Sequence, residues 1–284
     1  MKASSSKHRI LRRPGAKKLL PSVRISDNKA SRGRSLIMAG SPEFPGAGIL
    51  AAKAALRTGS GYVILAQKDI HLDHWNHPDV IPCDLNKTNW QQCQAQAILI
   101  GPGFGVNSFT AQIIKDLKKQ KIENVILDAD AITVCAKENL FPLLPTWIVT
   151  PHTGELARCL GCSSEEINAD REDAVIKAQE LMNCVVLLKG HHTLIRGRSR
   201  TYKNMTGNAA LAKSGTGDVL AGMITALRAQ GLSAIQAAVL GAYLHGATAN
   251  LWKARSKDLL SMTASDVIDL IPDVMHRVRV SESP

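Results

Sequence analysis

Arg34-Ser-Leu-Ile-Met-Ala39, Gly46-Ala-Gly-Ile-Leu-Ala-Ala-Lys-Ala-Ala-Leu-Arg-Thr58 and Gly61-Tyr-Val-Ile-Leu-Ala66 decide the fold. The outer two segments are short apolar runs bounded by turn residues, which suits strands buried on both faces. The middle one is small and apolar at most positions and reads as a packed helix. Strand, helix, strand predicts a parallel pair with a crossover.

The alternation continues outward. Ala97–Gly101, Asn124–Asp128, Trp147–Thr150 and Cys184–Lys189 read as further strands. Helices are expected near Asn107–Lys119 and from Ser163 or Ser164 to about Met182. A hairpin is expected over Thr193–Arg196 and Thr201–Lys203, then helices over Thr216–Gln230, Ser233–Trp252 and Thr263–Arg279. Ser233 and Gln236 form a capping box. The polar stretch Asp69–Gln94 reads as irregular connection. Its His71, His74 and His77 are taken as loop residues, not metal ligands. The expected class is α/β: a mostly parallel central sheet with helices on both faces.

Composition agrees. The 284 residues are 45% hydrophobic but only 4% aromatic, so the core is built from Ala, Val, Ile and Leu. The net charge of +11 is concentrated near the start, where residues 1–34 carry eleven Lys or Arg and one acid, Asp27. Residues 1–22 are read as a basic, flexible leader and 23–284 as one domain. A transit peptide is the alternative reading of the leader. The body is nearly neutral, so neither nucleic acid nor a membrane surface is an expected partner. No apolar run reaches about 18 residues, the length a membrane span needs. The six cysteines follow no secretory pattern and are expected as reduced thiols in a cytoplasmic protein. Cys159 and Cys162 lack a second pair and are read as inert.

In open α/β sheets function collects at the carboxyl ends of strands. Five segments fall there. Gly40–Ala47 is a tight turn of small residues or a place where a ligand approaches the backbone. Gly101-Pro-Gly-Phe-Gly105 can present bare amides or serve only as a strand exit. Asp128-Ala-Asp130 can hold Mg²⁺ through water, polarise a hydroxyl or cap a helix. His152 and Glu155 flank a helix start. Lys189 ends an apolar strand before Gly190 and suits a nucleotide phosphate. Sharpest is Gly215-Thr-Gly-Asp218, which opens a helix with free first-turn amides. Gly215, Thr216 and Gly217 form the expected anion hole, and Asp218 is placed to take a proton from a hydroxyl. His245, on an Ala-rich helix, is read as a packed histidine. No dinucleotide fingerprint, Walker A loop or nucleophile elbow is present.

Taken together, these segments resemble the ADP/ATP-dependent NAD(P)H-hydrate dehydratase family of the ribokinase-like superfamily. The likeness runs from about Leu20 to Met275. It also rests on Thr206-Gly-Asn208 and Tyr243-Leu-His-Gly246. The resemblance implies repair of hydrated NADH or NADPH: ADP or ATP phosphorylates the ring hydroxyl, and phosphate is then lost. It implies that Ala47, Gly103, His152 and Asp218 contact the hydrate. Lys189, Gly190, His191, His192 and Thr193, with Gly217, would contact the adenine nucleotide. Mg²⁺ is the implied cofactor, with ligands unassigned. A homotetramer and a separate epimerase chain are the implied partners. Many relatives carry Gly-Gly-Thr-Gly-Asp where Ser214 stands here, and only local adjustment is expected. A small-molecule kinase of the same fold, phosphorylating an alcohol, is the alternative.

Overall fold

The computed structural model describes residues 8–68 and 75–280, so His71 and His74 lie outside the described residues. Nine strands form one sheet in the order β3-β2-β1-β4-β5-β6-β7-β8-β9. They are β1 (Arg34–Met38), β2 (Tyr62–Gln67), β3 (Ile81–Asp84), β4 (Ala97–Ile100), β5 (Val125–Leu127), β6 (Ile148–Val149), β7 (Val185–Leu188), β8 (Leu194–Arg196) and β9 (Thr201–Lys203). Every pair from β3 through β7 is parallel. The hairpin β8–β9 adds antiparallel strands at one edge.

Side chains alternate across the sheet, as strand geometry requires. Ile37 and Ala39 enter one core, Leu36 and Met38 the other. The first core is covered by α2 (Pro45–Arg57), α8 (Thr216–Ala229), α9 (Ala234–Ala254) and α10 (Ala264–Arg279). The second is covered by α3 (Ser108–Lys119), α4 (Asp130–Lys137), α5 (Thr153–Leu160) and α7 (Arg171–Met182). Small residues let α2 and α8 approach closely: a Cβ on Gly222 would overlap the Ala51 carbonyl. Aromatic side chains would not fit such a seam, which accounts for their scarcity.

Three expectations fail. The stretch 69–94 is not wholly irregular, because β3 pairs with β2 and a 3₁₀ turn covers Trp90–Cys93. Pro82 and the polar flanks of β3 hid it, and Pro is tolerated on an edge strand. The helix expected over 163–182 is two helices, α6 (Ser164–Ala169) and α7. Asp170 breaks the run with extended backbone and caps α7, its carboxylate accepting from Glu172 and Asp173 N–H.

The third concerns the leader. Within residues 1–22, α1 (Arg13–Leu19) is docked on α9 and α10, with Ala16 and Leu20 buried in the first core. Arg9 pairs in parallel with Tyr202, its N–H donating to Thr201 and its carbonyl accepting from Lys203. The segment thus covers the β9 edge. The basic residues misled because Leu11, Ala16, Leu19 and Leu20, which pack on the core, are scattered among them. Deleting residues 1–20 is expected to destabilise the fold by about 3 kcal/mol, mostly from lost apolar burial. An unchanged urea midpoint would show that the segment contributes nothing.

Candidate active site

Strand order places β2 on one side of β1 and β4 on the other, so the progression of strands across the sheet reverses at β1 and β4. A ligand crevice is expected outside the carboxyl ends of such a pair. The loops leaving those strands are joined there: Gly40 N–H donates to the Pro102 carbonyl at 2.7 Å. A Cβ on Gly103 would stand 3.3 Å from the Ala47 Cβ, so these two candidate residues are neighbours. Gly101 has φ +130°, and a Cβ there would overlap the Asp128 carbonyl. Its smallness sets the loop directly against the end of β5. Gly105 N–H then donates to Asp130 Oδ2 at 2.9 Å, fastening the glycine loop to the acid pair.

A buried charge centre lies beside this crevice. Asp128, 1% exposed, follows β5. Lys189 follows β7, and its Nζ donates to Asp128 Oδ1 at 2.7 Å. Thr150, after β6, donates its hydroxyl to the same oxygen at 2.8 Å. Glu155 Oε2 lies 3.9 Å from the ammonium and accepts the His152 N–H at 2.7 Å. Three adjacent strand ends therefore supply one interlocked group. Burial alone would pull the Lys189 ammonium down, but the Asp128 and Glu155 charges outweigh it and hold it above its ordinary value. Arg171 closes the far side, donating to the Lys189 carbonyl at 3.0 Å.

The start of α8 faces this centre. Gly215 is the N-cap with φ +88°, and no side chain caps the helix. A Cβ on Gly217 would stand 3.6 Å from Lys189 Nζ, so the first turn and the ammonium border the same space. The Thr216 hydroxyl donates inward to Leu211 and Lys213 carbonyls, both at 2.9 Å, and pins the turn. Asp218 is pushed up to about 7, first by burial, then by the Asp128 charge, against the pull of Lys189. Asp130 and Glu155 add to the rise. A carboxylate poised near neutrality beside a helix start with no side-chain cap and a lysine is equipped to exchange a proton where negative charge is held.

The remaining candidates are spread around this core. His191 and His192 stack with ring centroids 3.8 Å apart on the turn after Lys189. Thr193 donates to the Gly190 carbonyl within the same turn. His152 caps α5, its Nδ1 accepting from Gly154 and Glu155 N–H, with the ring largely exposed. Sequence reasoning missed Arg171, which no pattern marked. It also treated His245 as ordinary packing. His245 is indeed buried, but it touches the Thr216 backbone and feels the Lys189 charge, so it belongs to the wall of the site. A histidine in the otherwise apolar run Ala237–Gly246 was the available signal. Among the described residues no three His, Cys, Asp or Glu side chains form a metal-holding group.

Sheet order, switch-point crevice and uncapped glycine turn define an α/β protein with a ribokinase-like fold: the solved structure of a ribokinase-like superfamily protein from Enterococcus faecalis superimposes over 98% of this chain with a TM-score of 0.83 at 24% identity. The family model described as NAD(P)H-hydrate dehydratase matches residues 35–273, and the chain belongs to that family. It is 32% identical to the ADP-dependent (S)-NAD(P)H-hydrate dehydratase of Neisseria meningitidis, over 89% of this chain and 88% of that protein. It is 34% identical to the bifunctional NAD(P)H-hydrate repair enzyme of Moorella thermoacetica, over 95% of this chain and 54% of that protein. The chain thus spans about half the length of several curated relatives it matches. The crystal structure of the ADP/ATP-dependent NAD(P)H-hydrate dehydratase of Bacillus subtilis, co-crystallised with ATP and Mg²⁺, superimposes with a TM-score of 0.81 at 28% identity. That match covers 96% of this chain and 99% of that one.

Proposed function

We propose that this chain dehydrates the S form of hydrated NADH or NADPH, using ADP as phosphoryl donor. The observation that carries the reading is the meeting of the uncapped Gly215–Gly217 turn, Lys189 and Asp218 at the strand ends. Asp218 accepts the proton of the ring hydroxyl as that oxygen attacks the terminal phosphorus of ADP. The bond to AMP breaks, while the first-turn amides and Lys189 hold the negative charge of the transferring group. The new phosphate ester then leaves with the carbon–oxygen electron pair. The neighbouring ring carbon gives up a proton to the departing phosphate, and the double bond returns. AMP and inorganic phosphate are released.

Ala47, Gly103 and His152 are assigned to the hydrate. Gly190, His191, His192 and Thr193 are assigned to the adenine nucleotide. Mg²⁺, when bound, would neutralise phosphate charge. With no three-ligand cage among the described residues, the donor set fits an ion carried mainly by phosphate oxygens and water. Asp130 would reach it through water. A cytoplasmic homotetramer remains our expectation; the six cysteines are free thiols, in keeping with a reducing compartment.

The test is incubation with hydrated NADH, ADP and Mg²⁺. Recovery of reduced-nicotinamide absorbance, with one phosphate released per NADH restored, is the expected result. Accumulation of a stable phosphorylated alcohol without that absorbance would make the protein a kinase and end the proposal.

A further inference from the structure

The turn after β7 is held under strain. Gly190 has φ +136° and His192 has φ +54°, a region that residues other than glycine enter at a cost. The Thr193 hydroxyl donates to the Gly190 carbonyl, but that bond lies inside the turn. Bonds from outside hold the two ends. Asn204 N–H donates to the Thr193 carbonyl at 2.9 Å, and Lys189 N–H to the Pro151 carbonyl at 2.8 Å. Arg171 completes the set. Its Nη2 donates to the Leu188 carbonyl at 3.3 Å and the Lys189 carbonyl at 3.0 Å, and its Nη1 to the Thr153 hydroxyl at 3.3 Å. One planar group thus ties the exit of β7 to the first residue of α5. A Cβ on Gly190 would stand 3.0 Å from Nη2 and 3.3 Å from Nη1, so glycine leaves room for the guanidinium.

This placement is electrostatically costly. Arg171 is the first residue of α7, where the helix dipole opposes a cation. It is half-buried, and burial pulls its pKa down. No carboxylate among the described residues pairs with it. Its acidic neighbours are engaged elsewhere, Glu172 with His8 and Asp173 with Lys177. What the guanidinium holds accounts for its presence: the backbone of Lys189, whose ammonium borders the first turn of α8, and the strained turn behind it.

We propose that Arg171 is a positioning residue for the nucleotide: its guanidinium locks the Lys189–Thr193 turn in the shape that receives ADP. A rigid fork suits the task, because it meets carbonyls and a hydroxyl at once, whereas lysine carries one nitrogen on a flexible stem. The inference rests on the nucleotide-dependent reading above but is tested apart from it.

The experiment measures ADP and ATP affinity by calorimetry, with Mg²⁺ and without hydrated NADH, well below the melting temperature of each variant. The tighter nucleotide is compared. Arg171→Met keeps much of the stem and removes the fork. It is expected to weaken the nucleotide about tenfold, equivalent to about 1.4 kcal/mol. Arg171→Lys restores a charge and a single donor, and is expected to fall between methionine and the parent. If Arg171→Met does not fold, Arg171→Gln is read in its place; it keeps one donor without fork or charge and should weaken the nucleotide about fivefold. Affinity within twofold of the parent in the methionine or glutamine variant, with only the melting temperature lowered, would make Arg171 a stabilising residue and overturn the proposal. So would lysine binding as weakly as methionine. A parent that binds nucleotide but restores no NADH would contradict the dehydration reading while leaving this comparison intact. A parent with no affinity for ADP or ATP would overturn both.

Discussion

Replacing Asp218 with Asn is expected to lower turnover by about 10²–10⁴-fold, the usual cost of removing a general base, while making the fold more stable. The two effects have one cause. Asp218 is held near 7 because burial and the Asp128 charge oppose its ionised form more strongly than Lys189 favours it. An acid whose folded value lies above its unfolded one binds more protons when folded between those values. Its contribution to stability therefore falls as pH rises from about 4 to about 7. Asparagine carries no charge and escapes that loss. The variant should melt above the parent at about pH 8 and show little of that advantage at about pH 4. In the parent, kcat/KM should climb with pH through about 7, because the base must be ionised in the free enzyme. A variant with near-parental turnover would remove Asp218 from the chemistry, whatever its stability.

Lys189→Met should damage both fold and nucleotide binding. The ammonium is the cation that Asp128 and Glu155 share, and Asp128 is all but inaccessible. Taking away one partner of such a buried pair typically costs about 3–5 kcal/mol, because the remaining charge is stranded. Adding Asp128→Asn should recover much of that loss, and a double-mutant cycle reads the coupling directly. Nucleotide KM should rise in Lys189→Met. Losing the one cation that lowers Asp218 should also move its titration upward, shifting the rising limb of the pH profile to higher pH. Simple additivity in the cycle together with an unchanged nucleotide KM would place Lys189 outside both roles.

The parallel sheet was legible because its strands are apolar on both faces, and little else produces runs such as Ala97–Ile100 or Val185–Leu188. Edge elements were less so. β3 carries Pro82 and alternates only weakly, since an edge strand needs to bury fewer positions. The docking of α1 was hidden because its few apolar contacts, Leu11, Ala16, Leu19 and Leu20, sit in a strongly basic segment. Within the site, residues that need a special backbone were visible. Gly101 and Gly215 occupy turns that other residues enter only with strain, and such turns leave glycine in the sequence. Residues acting through long side chains were not. Arg171 reaches Lys189 across 18 positions, and nothing local records that distance. His245 lies in the wall of the site, and its only trace was a histidine in the otherwise apolar run Ala237–Gly246.

Everything turns on where a phosphoryl group sits, and a crystal structure with ADP and Mg²⁺ reads that directly. The terminal phosphate should lie within about 3.2 Å of amide nitrogens in the Gly215–Gly217 turn and of Lys189 Nζ, with the Asp218 carboxylate open to the Ala47–Gly103 side. Phosphates bound away from that turn, with Asp218 folded onto its own helix as a cap, would contradict the account.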